Sequence, residues 1–429
     1  MNRIKKLIPP FLLSSYHFAL AYLGAAFFGF PAKKLTVIGV TGTDGKSTTV
    51  EMLTRILAES GAKAASTSSV WFQIGEKKWK NTTKMGMPGR FFLQRFLKQA
   101  VRQGCAYAVL EVSSEGILQN RHRAIPFHGA VFTNLSPEHI ERHGSFEKYR
   151  AAKLKLFSAA KSLHVINADD ENAEYFLRIP AKETCLYSAR KAERLVPDKD
   201  VSLSGTRKLA AENIQETKEG TRFRVQDTDI QLKLLGSYNA ANALAAIGAA
   251  TSLGFSVALC KQALEKMEPV PGRMNVIATD PFTVLVDYAV TPKALNNLYE
   301  TLQRIFRPRR MICVLGACGG GRDAWKRPIL GKIAGEHCAE VIVTNEDPYD
   351  EDPESIMRQV AQGAGGKARC ILDRREALKT ALSQARPGDV VVATGKGSED
   401  AIALAGGEKM PWNETEVLKE ELSSIDRAG

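Results

Sequence analysis

The chain has 429 residues, of which 44% are hydrophobic, 25% charged and 7% aromatic. This balance excludes a disordered, collagen-like or multi-span membrane protein, and at roughly 150 residues per domain the length predicts two or three domains. The formal net charge of +12 favours anionic partners such as phosphates, nucleotides or acidic lipid surfaces.

Residues 1–34 form an apolar N-terminal segment. Within it, residues 11–31 carry no acidic or basic side chain except one histidine, and roughly 20 apolar residues could span a bilayer. Ser14, Ser15 and His17 weaken that interpretation, and no small-residue cleavage site follows. Three interpretations remain: a short helix packed on the next domain, a membrane-surface helix, or a true span, which is the weakest of the three.

From residue 35 onward, short apolar runs alternate with helical patterns. The runs that predict strands are 35–40, 106–112, 129–134 and 163–167, and an alanine-rich helix is predicted at 238–255. This alternation predicts an α/β domain over 35–270, with a parallel sheet covered by helices on both faces.

A break near residue 270 is followed by a second alternation. Its predicted strands are 283–287, 311–316, 340–344, 370–373 and 389–394. The pattern predicts a second, doubly wound domain over 271–429.

A glycine-rich turn between the first strand and the first helix is typical of a phosphate-binding loop. It contains Gly42, Gly45, Lys46 and Ser47. Glycines let backbone N–H groups approach phosphate oxygens at a helix N-terminus, the lysine supplies a cation and the serine hydroxyl a ligand for Mg²⁺. The strict pattern requires glycine where Val40 stands, so a chance Gly-Lys-Ser in an ordinary turn is the alternative.

Several segments in order along the chain resemble the Mur ligases, most closely the UDP-N-acetylmuramyl-tripeptide synthetases. They are GTDGKSTT, EVSSEGILQNR, TNLSPEHIERHGSFEKYRAAKLKLF, GSYNAAN, GRM, DYAVTP, GACGGGRDAWKRP and ATGKGSE, within residues 35–405. The resemblance implies a P-loop central ATPase domain over 35–270 and a Rossmann-like C-terminal domain over 271–429. It also implies ATP-dependent amide formation, in which a carboxylate becomes an acyl phosphate that an amine then attacks.

The resemblance assigns the chemistry to a small set of residues. The implied catalytic residues are Lys46, Glu111, His139 and Lys153, and two Mg²⁺ sites would use Ser47, Glu111, His139 and Lys153, the lysine as a carbamate. ATP would be held by residues Gly42, Thr43, Asp44, Gly45, Lys46, Ser47, Thr48, Asn239, Asn242, Arg273 and Asp287. Taken alone, Glu111 could be a salt-bridged strand end, His139 a structural histidine, Lys153 a solvated lysine and the two asparagines helix-cap groups.

The substrates would be bound by residues at both ends of the cleft. The implied contacts are Asn81, Thr82, Thr83, Ser113 and Arg121 for the acid, and Arg322, Asp347, Tyr349, Gly395 and Glu399 for the amino acid. Relatives that add diaminopimelate have an arginine at the position of Tyr349, and a tyrosine cannot form its bidentate ion pair. Negative charge on Glu346 and Asp347 favours a diamino acid with an ammonium tip, such as lysine or ornithine.

The chain also departs from the family pattern. Glu115, Val290 and Ser398 replace histidines, and Glu138 replaces an aspartate. Only 34 residues precede the first sheet, where the family usually has a UDP-binding domain. The acid is therefore expected to be a muramyl peptide that is either UDP-linked or lipid-linked.

Other functions remain open from the sequence alone. One is a ligase for folylpolyglutamate- or polyglutamate-type acids, and another is a nucleotide-binding protein without ligase activity. The seven scattered cysteines include no Cys-x-x-Cys pair and favour reduced thiols in the cytoplasm. We expect a cytoplasmic monomer with no nucleic-acid partner, and contact of 11–31 with the inner membrane face is open.

Overall fold

The computed structural model describes residues 9–83, 85–190 and 206–426. The helices are α1 Pro10–Phe27, α2 Lys46–Glu59, α3 Arg90–Arg102, α4 Ser114–Leu118, α5 Ile140–His143, α6 Phe146–Ala159, α7 Ala173–Leu177, α8 Tyr238–Ser252, α9 Val257–Glu265, α10 Pro292–Phe306, α11 Arg327–His337, α12 Pro353–Gly363, α13 Arg374–Gln384 and α14 Glu414–Asp426. The strands are β1 Thr36–Thr41, β2 Ala64–Thr67, β3 Trp71–Ile74, β4 Lys77–Lys80, β5 Tyr107–Glu111, β6 Phe127–Phe132, β7 Leu163–Asn167, β8 Glu183–Ser188, β9 Thr206–Thr217, β10 Gly220–Val225, β11 Thr228–Leu232, β12 Asn275–Ala278, β13 Thr283–Asp287, β14 Met311–Leu315, β15 Glu340–Val343, β16 Ala368–Cys370, β17 Val390–Thr394, β18 Ala401–Ala403 and β19 Lys409–Pro411.

The first lobe is built on an eleven-stranded sheet in the order β11-β10-β9-β8-β7-β6-β1-β5-β2-β3-β4. The strands from β9 to β2 in that order are parallel, and antiparallel hairpin strands extend both edges. Two separate apolar clusters cover its two faces. Strand β1 lies between β5 and β6, so their carboxyl ends meet at one edge, where open α/β sheets bind ligands.

The second lobe is built on a six-stranded sheet in the order β12-β13-β17-β14-β15-β16. Only the edge strand β12 is antiparallel to its neighbour. Apolar clusters again cover both faces, as expected for strands that are apolar throughout. The predicted α/β class and the two sheets are therefore confirmed.

Some predicted details differ from the structure. The strand predicted at 370–373 is instead Ala368–Cys370, and the hairpin β3–β4 was not predicted. The sequence of β4 is that of a polar surface segment, with lysines at 77, 78 and 80. Such a sequence can still form an edge strand, because an edge strand needs only one partner and few buried side chains. The sequence Ser-Gly-Thr at 204–206 also predicts a turn, but these residues lie mostly outside the described ranges.

The N-terminal segment forms helix α1, which packs on α3 and on the loop after α4. The Asn120 side chain donates to Ser14 O at 3.1 Å, and the ring of Phe91 lies against Gly24 and 6.4 Å from the ring of Phe27. Of the helices in the described residues, α1 included, none has both the length and the apolar character that crossing a membrane requires.

The expectation of reduced cysteines is wrong at one place in this structure. Cys313 and Cys338 are paired as a disulfide, with Cα atoms 6.1 Å apart. The pairing follows from the fold, because the parallel pairing of β14 with β15 brings Cys313 beside the turn before β15, within the usual span of such a bond. The other five cysteines are free.

Candidate active site

The phosphate loop follows β1 and runs directly into α2. Gly45 precedes α2 with φ +80°, a left-handed conformation that glycine adopts without strain. The apolar stripe of α2, including Val50, Leu53 and Leu57, is buried against the sheet. Burial of this stripe fixes the helix N-terminus, and therefore its positive dipole end, at the edge of the sheet where β1 ends.

The segment after β6 holds the loop in shape. Asn134 accepts a hydrogen bond from Asp44 N at 3.0 Å through Oδ1 and one from Thr43 N at 2.8 Å through its backbone oxygen. The Thr133 hydroxyl donates to Asp44 O at 2.7 Å, and the Thr43 hydroxyl lies 3.1 Å from the Tyr149 hydroxyl. The loop conformation is thus set before any ligand binds.

Ser47 and Glu111 meet directly, although they are 64 residues apart in sequence. The Ser47 hydroxyl donates to Glu111 Oε2 at 2.6 Å, and the same oxygen accepts from Ser69 N at 2.9 Å. Glu111 ends β5 opposite Val40 of β1, which explains the juxtaposition. Thr48, the next residue of α2, is buried. Lys46 lies above the loop and donates to Thr43 O at 2.6 Å.

Lys153 reaches the same loop from α6. Its Nζ donates to Gly42 O at 2.6 Å and the side chain is buried. Burial lowers the pKa of Lys153 well below its ordinary value, and the nearby charge of Lys46 is the second cause of this shift. Lys153 is therefore not a solvated lysine, the alternative that the sequence left open. Lys155, two residues further along the helix, is exposed.

His139 lies between the loop and the second lobe. It has φ +57°, an uncommon conformation for a residue with a side chain. His139 is exposed at the cleft, but partial desolvation of its ring, together with the charges of Lys153, Lys326 and Lys46, lowers its pKa below the ordinary value. The imidazole is therefore neutral at physiological pH, the form that can bind a metal ion.

The donor set can be compared with the needs of Mg²⁺. A serine hydroxyl and a carboxylate in contact at the phosphate loop are hard oxygen donors, and Mg²⁺ typically takes one or two carboxylates together with phosphate oxygens and water. Among the described residues, no cluster of three or more His, Cys, Asp or Glu forms a separate metal cage. Ser47 and Glu111 thus fit an ion that is bound largely through a nucleotide.

The predicted ATP contacts come from both lobes. Asn239 donates to Leu235 O at 2.8 Å and accepts from Asn242 Nδ2 at 3.0 Å, and Asn242 lies directly beneath Gly45. Across the cleft, the guanidinium of Arg273 lies over the Tyr288 ring, 4.4 Å from its centroid. Asp287 accepts from Met274 N at 2.7 Å, so it fixes the backbone next to Arg273.

Direct contacts hold the two lobes together at this cleft. Glu138 and Lys326 form a buried ion pair with Oε1 and Nζ 2.7 Å apart. The Glu141 carboxylate accepts from Ala324 N at 2.7 Å, while Asp323 accepts from Glu141 N at 3.0 Å. The structure is therefore a closed arrangement, with the second lobe placed over the phosphate loop.

The residues predicted to bind the acid lie around one loop, but most of their polar atoms are engaged within the protein. Asn81 is buried and donates to Ser68 O at 2.6 Å, and its Oδ1 accepts from Thr83 N at 2.8 Å. Ser113 caps α4 by accepting from Gly116 N at 3.1 Å. Arg121 donates to Met87 O and to Gln119 Oε1. Thr82 is exposed.

The predicted amino-acid pocket lies in the second lobe. Arg322 donates to the Tyr349 hydroxyl at 3.1 Å. Gly395 lies so close to Glu346 that a Cβ there would be 2.8 Å from the carboxylate carbon. Burial raises the pKa of Glu346, against the opposing effect of nearby cations.

Lys396 is a central residue of this pocket that was not among the predicted site residues. Its buried ammonium lies 2.8 Å from Asp347 Oδ1 and 2.5 Å from Glu399 Oε2. It therefore offsets much of the negative charge that the sequence suggested here. Lys396 could have been found from its position in the segment ATGKGSE, and Lys326 from its position in GRDAWKRP. Neither segment shows which carboxylates these lysines contact.

Glu115, which replaces a family histidine, forms a paired contact near His139. Its two carboxylate oxygens accept from Arg142 Nε at 2.9 Å and Nη2 at 2.8 Å. This ion pair joins α4 to α5.

Known proteins match this chain over nearly its whole length. The Mur ligase middle domain matches residues 40–250, and the Mur ligase glutamate ligase domain matches residues 272–397. A UDP-N-acetylmuramyl-tripeptide synthetase of Roseiflexus sp. is 38% identical over 98% of this chain and 85% of its own length. A UDP-N-acetylmuramoyl-L-alanyl-D-glutamate--2,6-diaminopimelate ligase of Geobacillus kaustophilus is 35% identical over 96% and 84%.

A solved structure agrees with these matches. It is a UDP-N-acetylmuramoyl-L-alanyl-D-glutamate--2,6-diaminopimelate ligase, 29% identical, with a TM-score of 0.59 over 91% of this chain and 79% of the other. Together with the phosphate loop and the Ser47–Glu111 pair, these matches show that the chain belongs to the Mur ligase family of ATP-dependent ligases.

Proposed function

We propose that this ligase joins a diamino acid to the carboxylate of a muramyl-peptide precursor in peptidoglycan synthesis, through an acyl phosphate. The observation that carries the proposal is the contact of Ser47 with Glu111 at the phosphate loop, with Lys46 and Lys153 on the same loop. The relatives named above act on muramyl peptides, which supports this acid over a folyl- or polyglutamate.

The first step would transfer the γ-phosphoryl group of ATP to the carboxylate of the acid, with ADP as the leaving group. Backbone N–H groups at the start of α2 and the Lys46 ammonium would hold the phosphates, with charge neutralisation and positioning as the main contributions. Mg²⁺ bound through Ser47 and Glu111 would supply further positive charge at the phosphates. The Arg273 guanidinium of the second lobe faces the same cleft.

The second step would break the acyl–phosphate bond. The amine of the incoming amino acid would form the amide bond, inorganic phosphate would leave with the bonding electron pair, and the phosphate would take up the proton that the amine loses. The lobe contacts at Glu138–Lys326 and Glu141–Ala324 would exclude water from the acyl phosphate. Hydrolysis of the intermediate is the reaction that such a closure prevents.

A second Mg²⁺ site at His139 and Lys153 belongs to the same proposal. A neutral amine can take up CO₂ to form a carbamate, and burial of Lys153 favours the neutral amine. The carbamate would carry negative charge and oxygen donors toward the cleft, where the neutral His139 imidazole offers a nitrogen donor.

The amino acid is proposed to be lysine or ornithine in preference to diaminopimelate. Tyr349, hydrogen-bonded to Arg322, offers a hydroxyl and not a guanidinium to the distal end of the amino acid. A distal carboxylate would therefore lack a bidentate partner at this position. After pairing of Lys396 with Asp347 and Glu399, the remaining carboxyl group of this pocket is that of Glu346, which accepts a hydrogen bond from Cys318 Sγ at 2.9 Å.

The test is phosphate release from ATP with each combination of acid and amino acid. We expect release only when a muramyl dipeptide and a diamino acid are both present, and loss of release in Lys46→Ala. Release without an acid would instead favour a nucleotide switch. A clear preference of the parent enzyme for diaminopimelate would overturn the amino-acid assignment. We expect Tyr349→Arg to raise the use of diaminopimelate relative to lysine.

The proposal includes the setting of the enzyme. It would act as a monomer in the cytoplasm, with residues 11–31 in contact with the inner face of the membrane. The acid could then be UDP-linked or lipid-linked, and the same phosphate-release assay with each kind of acceptor separates the two.

A further inference from the structure

Apart from Ser14, Ser15 and His17, helix α1 consists of apolar and aromatic residues, although it lies on the surface of the protein. Its inner side includes the buried small residues Ala21, Gly24 and Ala25, while six of its large side chains are at least 42% exposed. A helix that is hydrophobic all around is normally covered on all sides, in a protein core or in a membrane. The outer side of α1 has no cover among the described residues.

We call the outer side the aromatic face. It consists of Leu12, Tyr16, Phe18, Tyr22, Leu23 and Phe27. Spacings of four and seven residues place four of them on one side of the helix, namely Leu12, Tyr16, Leu23 and Phe27. Tyr16 is 58% exposed, Leu23 59% and Phe27 74%, and the half-exposed Phe91 of α3 extends the surface beside Phe27. A contiguous patch of this kind marks an interaction site.

Basic residues border the aromatic face. The sequence has no acidic residue before Asp44, and α3, which supports α1, contains four basic and no acidic residues. Three cations lie on rings of this region: Lys33 over Phe30, Lys98 over Phe28 and Arg123 over Phe18, 4.8 to 6.0 Å from the ring centroids. An apolar strip with a cationic border complements a surface of acyl chains and anionic headgroups.

From this we propose that the aromatic face docks on an anionic lipid bilayer, with α1 lying in the plane of the interface. The inference rests on the proposed function for its setting at the inner face of the membrane, and it names the surface and the lipid charge. The loop of Arg121 lies beside α1, since Asn120 bonds Ser14. Docking therefore brings the acid-binding end of the cleft near the headgroups, where a lipid-linked acid would be presented.

The test is co-sedimentation of the full chain with lipid vesicles. We expect binding to vesicles that contain phosphatidylglycerol, and little binding to phosphatidylcholine alone. Leu23→Ser with Phe27→Ser should weaken binding at least about tenfold, because both side chains would enter the bilayer. Lys33→Gln with Lys34→Gln should weaken it in a salt-dependent way. Leu372→Ser, at a residue 45% exposed in the second lobe, is the matched control and should bind like the parent.

Two further readouts separate the alternatives. Phosphate release with a water-soluble acceptor should be unchanged in the variant with Leu23→Ser and Phe27→Ser. This result would show that the variant is folded, and that loss of lipid binding does not require loss of ligase activity. Sedimentation velocity without lipid tests a second copy as the occupant. Dimers that are lost in this variant, or equal binding of parent and variant to anionic vesicles, would overturn the proposal.

Discussion

Gly86 lies against the carboxylate of Glu111, so closely that a Cβ at Gly86 would overlap Oε1 and lie 2.7 Å from Cδ. The side chain that also accepts from Ser47 and Ser69 is therefore confined on its remaining side by backbone. This contact predicts that the size of residue 86 controls the position of a proposed metal ligand.

Gly86→Ala should therefore displace Glu111 and weaken the response to Mg²⁺. We expect the Mg²⁺ concentration needed for half-maximal phosphate release to rise by about tenfold, which corresponds to about 1.4 kcal/mol. Gly89→Ala is the matched control, because a Cβ there meets no atom within 4 Å. Equal Mg²⁺ dependence in the two variants would contradict the prediction.

Lys153→Ala should abolish phosphate release and regain part of it when acetate or another small carboxylate is added. The reason is that a free carboxylate can replace a carbamate in the space left by the side chain. Lys155→Ala, on the exposed side of the same helix, should retain full activity. A variant that is folded, inactive and never rescued by any added carboxylate would argue against the carbamate.

Lys326→Met should open the cleft, because it leaves the buried carboxylate of Glu138 without its partner. Removal of one partner of a buried pair costs about 3–5 kcal/mol, which here disfavours the closed arrangement of the lobes. We expect a lower kcat and a larger radius of gyration in small-angle X-ray scattering.

Two variants serve as comparisons for that experiment. Lys332→Met changes an exposed lysine of the same lobe and should have no effect on either measurement. Glu138→Gln combined with Lys326→Met removes the unpaired charge and should recover the compact shape at least in part. An unaltered radius of gyration in Lys326→Met would show that this pair does not hold the lobes together.

His122 should make the protein less stable in mild acid. It is buried without a hydrogen-bond partner among the described residues, and burial, together with nearby cations, lowers its pKa from 6.5 to about 4. Between these values the unfolded chain binds a proton that the folded chain does not, so the free energy of unfolding rises with pH. Above about pH 6.5 the histidine is neutral in both states and the full free energy of unfolding is retained. As the pH falls toward 4, the burial of neutral His122 lowers the free energy of unfolding by up to about 3 kcal/mol.

The measurement is urea unfolding of the parent and of His122→Leu between about pH 7 and about pH 5. We expect the variant to lose less stability over this range than the parent. His128→Gln, at an exposed histidine, should show the pH slope of the parent. Identical slopes in parent and His122→Leu would contradict the prediction.

Much of the fold could be predicted because local sequence patterns indicate its strands, helices and turns. Apolar strand runs, the 3.6-residue stripe of α2 and the glycines at 42 and 45 each have a local physical cause. The α/β class, the two sheets and the position of the phosphate loop follow from these patterns and from the family resemblance. The edge hairpin β3–β4 escaped prediction because its lysine-rich strand reads as surface loop.

The site was predictable as a set of residue types but not as a set of contacts. Glu111, Lys153 and His139 could be named from motifs, whereas the pairing of Lys396 with Asp347 and Glu399 could not, since sequence does not show which charges meet.

The family, the phosphate loop and the residue types of the cleft could be inferred from the sequence, because these depend on short segments with fixed local geometry. Three features became visible only in the folded protein: Ser47 touches Glu111, Glu138 and Lys326 join the lobes, and the aromatic face of α1 is exposed. These are long-range contacts, and they depend on how strands pair and helices pack, which no local pattern specifies.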